Sequence, residues 1–177
     1  MLEKLIDLIA AGWDRLAPIE ELDAYQGGGV MRQGHYHRTI GPGGWHWKWP
    51  VLERVIPVEI CVTTHRLQPQ TITTKDDVSV VVAGIVKYQI NDVREYVTKI
   101  WDQADVLNDA VAGAVHTAVS GLAYSELVQQ RPEQRVLELA RKKVNPYGFQ
   151  LLDFTFTDFG RVKSLRLITR TPNKVAN

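Results

Sequence analysis

Alternation of apolar and polar positions is clearest in Thr71 to Ile90, TITTKDDVSVVVAGIVKYQI, which predicts two strands joined by the turn Thr74-Lys75-Asp76-Asp77. In the second arm Val78, Val80, Val82, Val86, Tyr88 and Ile90 share one parity, interrupted by Gly84. The other parity, Ser79, Val81, Ala83, Ile85, Lys87 and Gln89, is apolar only in its first half. A strand of this kind starts in the interior and ends against solvent, so it is expected at the centre of an antiparallel sheet.

Other stretches follow a helical period. Leu2, Leu5, Ile6, Ile9, Trp13 and Leu16 form one stripe, with Lys4, Asp7, Asp14 and Arg15 off it, and Pro18 ends that helix. Such a short amphipathic helix needs a surface to bury its stripe, which leaves a membrane interface, its own domain or a neighbouring subunit. Its polar face is net acidic, whereas membrane-surface helices favour Lys and Arg. Asn91-Asp92 caps a short helix over Arg94, Tyr96, Val97 and Ile100. A longer helix is expected from Ala104 to Leu122, with Leu107, Val111, Ala114, Val115, Ala118 and Leu122 inward. A short helical turn over Ser125–Gln130 precedes a helix that opens at Pro132 and closes at Val144, before Asn145-Pro146. Gly148 then reverses the chain into a last strand, Phe149 to Phe159.

Between the first helix and the central strand, Gln26-Gly27-Gly28-Gly29 reads as a flexible joint. Val30 to Ile40 is expected to form a strand pair turning near Gly34, and Val51 to Leu67 one or two strands with Pro57 at an edge or break. Trp45, Trp47 and Trp49 alternate with His46 and Lys48, so at strand period three indoles share a face. That face has three readings: cover for a core or subunit contact, an interfacial belt at lipid headgroups, or a stacking platform. Strands, then helices, then a closing strand make an α+β fold with helices on one face of a sheet.

Composition changes this picture little. With 177 residues, 45% hydrophobic and 23% charged, the chain suits a single soluble domain with appendages. Its net charge of +1 offers no global attraction for nucleic acid. Charge is uneven locally: Asp14, Glu20 and Glu21 lie in an acidic start, whereas Arg161, Arg166 and Arg170 lie in a basic end without acids. Two solvated ends, or two ends that meet within or between chains, both fit. Cys61 is alone in an apolar run and is expected to be buried filler, consistent with a reducing compartment. There is no signal-peptide pattern and no window of about 20 apolar residues to cross a bilayer.

No nucleophile elbow, zinc motif or Walker loop is present, and no metal or cofactor site is expected. His35 and His37 fit surface strand positions better than metal ligation, His65 with Asp76 would require neighbouring strands, and His116 falls within a helix.

The run GGVMRQGHYHRTIGPGGWHWKWPVLERVIPVE, then TTKDDVSVVVAGIVKYQI and NPYGFQLLDFTFTDF, resembles the SPFH or band 7 family of stomatins, prohibitins, flotillins and bacterial FtsH-protease regulators. Four pieces carry it over about residues 25–165: the strand opening at Gly29, the Gly41-Pro42-Gly43 loop ending at Pro50, the Thr74-Lys75-Asp76 turn with its Val-rich strand, and the Tyr147-Gly148 reversal. His46-Trp47-Lys48-x-Pro50 and Leu151-Leu152-Asp153 resemble the FtsH-regulator type most. The resemblance implies a curved antiparallel sheet with helices, no catalysis, assembly into rings or shells, and a Gly-Pro-Gly to Pro segment close to a bilayer. Residues 1–24 stand where the family carries a membrane anchor, and 166–177 form a basic tail where it carries a coiled coil. Membrane association is therefore expected to be peripheral, through Leu5, Ile9, Trp13, Trp45, Trp47 and Trp49, at the cytoplasmic face. Asp14, Glu20 and Glu21 of one subunit are expected to meet Arg161, Arg166 and Arg170 of the next. The alternative is an adaptor docked on a larger assembly, either a protease complex or a virus particle.

Overall fold

The computed structural model describes residues 18–162, which form nine strands and four α-helices. The helix expected over Leu2 to Leu16, and with it Leu5, Ile9, Trp13 and Asp14, lies outside the described residues, as do Arg166 and Arg170.

The chain runs through β1 (Ile19–Leu22), β2 (Gln26–Arg32), β3 (His35–Ile40), β4 (Gly44–Trp47), β5 (Glu53–Glu59), β6 (Thr63–Arg66), β7 (Gln70–Thr73) and β8 (Ser79–Ile90). The helices follow as α1 (Val93–Lys99), α2 (Gln103–Ser120), α3 (Tyr124–Gln129) and α4 (Glu133–Val144), and β9 (Phe149–Arg161) closes the chain. As its alternation predicts, β8 is central. β9 runs antiparallel along one edge, while β6 and β7 share the other end to end.

Val80, Val82, Val86 and Ile90 of β8, with Phe149, Leu151, Phe154 and Phe156 of β9, build the sheet side of the main core. Leu107, Val111, Ala114, Val115, Ala118 and Val119 of α2 cover it with Val136, Ala140 and Val144 of α4. Gly84 interrupts the valine row because a Cβ there would lie 2.7 Å from Cζ of Phe154. The ring fills space that a side chain on β8 would need.

Local signals set the helix starts, at the expected Asp92 and at Asp102, which the periodicity does not single out. Asp92 caps α1 through the Glu95 N–H, and Asp102 caps α2 through that of Asp105, each at 3.1 Å. The turn before β8 is tied to the helical layer: Asp76 accepts from the Tyr124 N–H at 3.0 Å, and the Lys75 N–H donates to the Leu122 carbonyl. A hydrogen bond from the Thr74 hydroxyl, opposed by some loss of hydration and aided by the Tyr124 N–H, holds the exposed Asp76 carboxyl below its usual range.

β2, β3 and β5 form a second sheet in the order β3-β2-β5, around Leu22, Val30 and Ile40. Here one expectation is corrected. Gly27, Gly28 and Gly29 are buried positions of β2 and not a flexible joint. A Cβ on Gly28 would approach Cγ1 of Ile40 to 2.8 Å, so the glycines serve close packing rather than chain freedom. Cys61 is the second correction. β5 ends at Glu59 with its Val58 side chain inward, and the chain then bends, leaving Cys61 exposed. Pro57 sits, as expected, on an edge strand.

Candidate functional site

β1 and β4 pair as a two-stranded antiparallel ribbon that the periodicity does not predict. Its register sets Ile19 opposite Trp47 and Glu21 opposite Trp45, so these four share one side. On the other side Glu20 faces His46 and pairs with Lys48. His46 Nε2 donates to the Gly43 carbonyl at 2.9 Å, and the Lys48 N–H to that of Pro18 at 2.8 Å. The polar members of the alternation are thus consumed inside the ribbon, and the indoles are left outside.

Trp45, Trp47 and Trp49 are 75%, 59% and 56% exposed, and Val51 beside them is 80% exposed. Among the described residues they cover no core, which removes that part of the first reading of the tryptophan face. Val51 has φ +67°, a left-handed conformation rare for a β-branched residue. Strain of about 1–3 kcal/mol is typical for such a residue, so an apolar side chain is held out at local expense.

The loop is fastened by Glu53, whose side chain is 1% exposed. One carboxylate oxygen accepts from the Trp49 N–H at 3.0 Å, while the other accepts from Nε of Arg32 at 3.1 Å and from its terminal nitrogen at 2.5 Å. Arg38 stands 3.7 Å from the same carboxylate and donates to the Trp47 carbonyl at 2.6 Å. Burial alone would raise the Glu53 pKa. The Trp49 N–H and the Arg32 charge outweigh it and hold the carboxyl below its ordinary value.

Replacing Glu53 by glutamine is therefore expected to destabilise the domain by about 1–3 kcal/mol and to loosen the tryptophan loop. Denaturant titration measures the first effect and tryptophan fluorescence anisotropy the second. Because the folded-state pKa is depressed, this contribution is complete above the ordinary glutamate range. It is lost as pH falls through the lowered value, so the wild type should approach the E53Q variant in acid.

Other candidates are dispersed. His35 and His37 are exposed on β3, and no group of three or more metal-ligating residues occurs among the described residues. His65 lies opposite Val86, whereas Asp76 sits in the turn before β8 and faces Tyr124, so the two do not meet. Glu21 is exposed, Glu20 is engaged by Lys48, and the Arg161 guanidinium lies 5.9 Å over the Tyr124 ring. Sequence reasoning missed Glu53, whose only signal is an acid at an inward strand position. It also missed Trp101, which is 99% exposed between α1 and α2.

What this α+β domain offers is an aromatic surface at one tip, on a frame of antiparallel sheets and four helices. The model of the SPFH domain / Band 7 family matches residues 21–163, and the chain belongs to that family. It is 25% identical over 134 residues to the Vibrio cholerae Protein HflK, covering 73% of this chain and 34% of that one. Haemophilus influenzae Protein HflK is 25% identical over 101 residues, 57% of this chain and 24% of its own length. An uncharacterized Archaeoglobus fulgidus protein is 23% identical over 155 residues, 86% of this chain and 62% of that one. The chain thus spans less than two thirds of the length of each.

Proposed function

We propose that the protein is a non-enzymatic scaffold that assembles head to tail into a ring or shell and rests on a membrane surface through Trp45, Trp47 and Trp49. One observation carries the membrane contact: three indoles and Val51 are held in solvent by a loop fastened from beneath by a buried carboxylate. Indoles prefer the headgroup level of a bilayer, where one end is apolar and the other wet. Arg32 and Arg38, each about two-fifths exposed, stand behind them and favour anionic headgroups. No helix among the described residues is long and apolar enough to cross a membrane, so the contact proposed is peripheral.

Assembly is supported by family membership and by the uneven charge of the two ends. Glu20 is engaged by Lys48, so of the three acids expected at an intersubunit contact, Asp14, Glu20 and Glu21, the exposed one among the described residues is Glu21. The resemblance of His46-Trp47-Lys48-x-Pro50 and Leu151-Leu152-Asp153 to FtsH-protease regulators favours a place beside a membrane protease.

The test is native mass by light scattering, with and without anionic liposomes. A discrete oligomer that co-sediments with the liposomes is expected. A 20.0 kDa monomer that ignores them would overturn the proposal and favour an adaptor on a larger protein assembly.

A further inference from the structure

A second aromatic site lies along β5. Where the edge strand β5 approaches the end of β8 and α1, a cleft of about 590 Å³ opens, lined among others by Pro57, Glu59, Tyr88, Ile90, Tyr96 and Trp101. Its floor is rigid. Tyr88 and Tyr96 both pack edge-on against the buried Phe149, at 5.6 and 5.3 Å between ring centroids.

Trp101 stands at the rim of the cleft. The residue before it, Ile100, is buried, and the residue after it, Asp102, caps α2. Its backbone is pinned on both sides while its side chain is 99% exposed. A tryptophan on an anchored backbone, in open solvent at the rim of a formed cleft, has the character of a binding anchor. Two charged residues line the cleft, Arg54 and Glu59, and the acid is the one that a basic segment would meet. Among the described residues its carboxylate has no ion-pair partner.

Two tyrosines, a tryptophan and a proline beside an acid form the kind of groove that takes an extended segment containing proline and a base. The chain holds such a segment. Residues 163–177 carry Lys163, Arg166, Arg170 and Lys174, no acid, and Pro172 between the last two bases. The segment leaves from the far end of the domain: the Val162 N–H donates to the carbonyl of Ser79, at the start of β8. The cleft sits by Tyr88 and Ile90, about 30 Å along the same strand at roughly 3.3 Å per residue. When donor and acceptor at opposite ends of one strand belong to two copies, the contact is heterologous and closes into a ring or runs on as a filament.

We infer that the cleft between β5, β8 and α1 receives the basic, proline-containing segment 163–177 of a neighbouring copy, with Trp101 against its apolar side chains and Glu59 against its bases. This rests on the self-assembly reading above and adds the cleft as an acceptor of the basic end beside the acidic start of the chain.

The test uses the full chain. Trp101→Ala and Glu59→Lys are both surface changes, so melting temperature should hold while native mass falls to that of the 20.0 kDa monomer. Reversing both bases, Arg170→Glu with Lys174→Glu, should do the same. Combining that reversal with Glu59→Lys should restore the oligomer. A synthetic peptide of residues 163–177 should dissociate the wild-type oligomer and bind the Trp101→Ala variant at least about 10-fold more weakly than the wild type. An oligomer indifferent to Trp101→Ala, Glu59→Lys and the peptide would overturn the inference and leave the assembly reading standing. A peptide that binds the cleft without changing native mass would also overturn it, since the segment would then be docking on its own chain. A wild type that is monomeric at every concentration would remove the assembly reading, and this inference with it.

Discussion

Replacing Gly148 by alanine is expected to destabilise the domain by about 3 kcal/mol or more, one of the largest effects of any single methyl group in this chain. Gly148 has φ +83°, and a Cβ there would lie 2.2 Å from the carbonyl oxygen of Asp92. Left-handed backbone alone costs a non-glycine residue about 1–2 kcal/mol. The rest comes from moving what is packed there. The Gly148 carbonyl accepts from the N–H groups of Asn91 and Asp92, at 2.9 and 3.2 Å, and Asp92 caps α1. Relieving the clash therefore pulls apart the junction of β8, α1 and β9. At about 2–4 °C per kcal/mol for a domain of this size, the melting temperature should fall by roughly 10 °C. Gly34 provides the control. It has the same φ of +83° but nothing within 4 Å of its Cβ position, so Gly34→Ala should show the conformational penalty alone. Equal losses at the two positions, read by circular dichroism melts, would show that the junction relaxes freely.

The triple substitution of Trp45, Trp47 and Trp49 by serine is expected to weaken binding to anionic liposomes at least about 100-fold without moving the melting temperature. The three rings are already more than half exposed, so the folded domain loses little packing. Transferring the remaining exposed surface of each ring to the headgroup region is worth about 1 kcal/mol or more. Together the three reach about 3 kcal/mol, and each 1.4 kcal/mol is about a factor of ten in affinity. Wild-type emission should shift to the blue on adding liposomes. The E53Q variant should bind with intermediate affinity, because its indoles are intact but no longer held in one arrangement. Wild-type binding by the triple variant would dismiss the tip as the membrane contact.

Features carried by short-range signals are legible in the amino-acid order alone. The valine alternation places β8, the Asp92 cap and the Pro132 start place helices, and Gly148 places the reversal into β9. Each depends on a few neighbouring residues: a period of two or 3.6, one side-chain oxygen, one positive φ. The alternation of Trp45, Trp47 and Trp49 is equally legible, but whether anything covers the indoles is not.

Long-range packing settles the rest, because the deciding partners are distant in sequence. The triple glycine reads locally as a hinge, yet Ile40, Val55 and Val97 crowd around Gly28 and Gly29 in a strand. Glu53 looks like any strand acid until Arg32, 21 residues earlier, turns it into a buried fastening. Cys61 sits in an apolar run, but β5 stops at Glu59 and the bend puts the thiol in solvent. Trp101 gains its meaning only when β5, β8 and α1 close a cleft beside it. Most elements and their order follow from the sequence, because backbone geometry is set locally; the β1–β4 ribbon and the glycine opening of β2 do not. Which faces those elements bury and which they leave empty follows from the tertiary fold, and the two candidate interaction surfaces of this protein are both faces left empty.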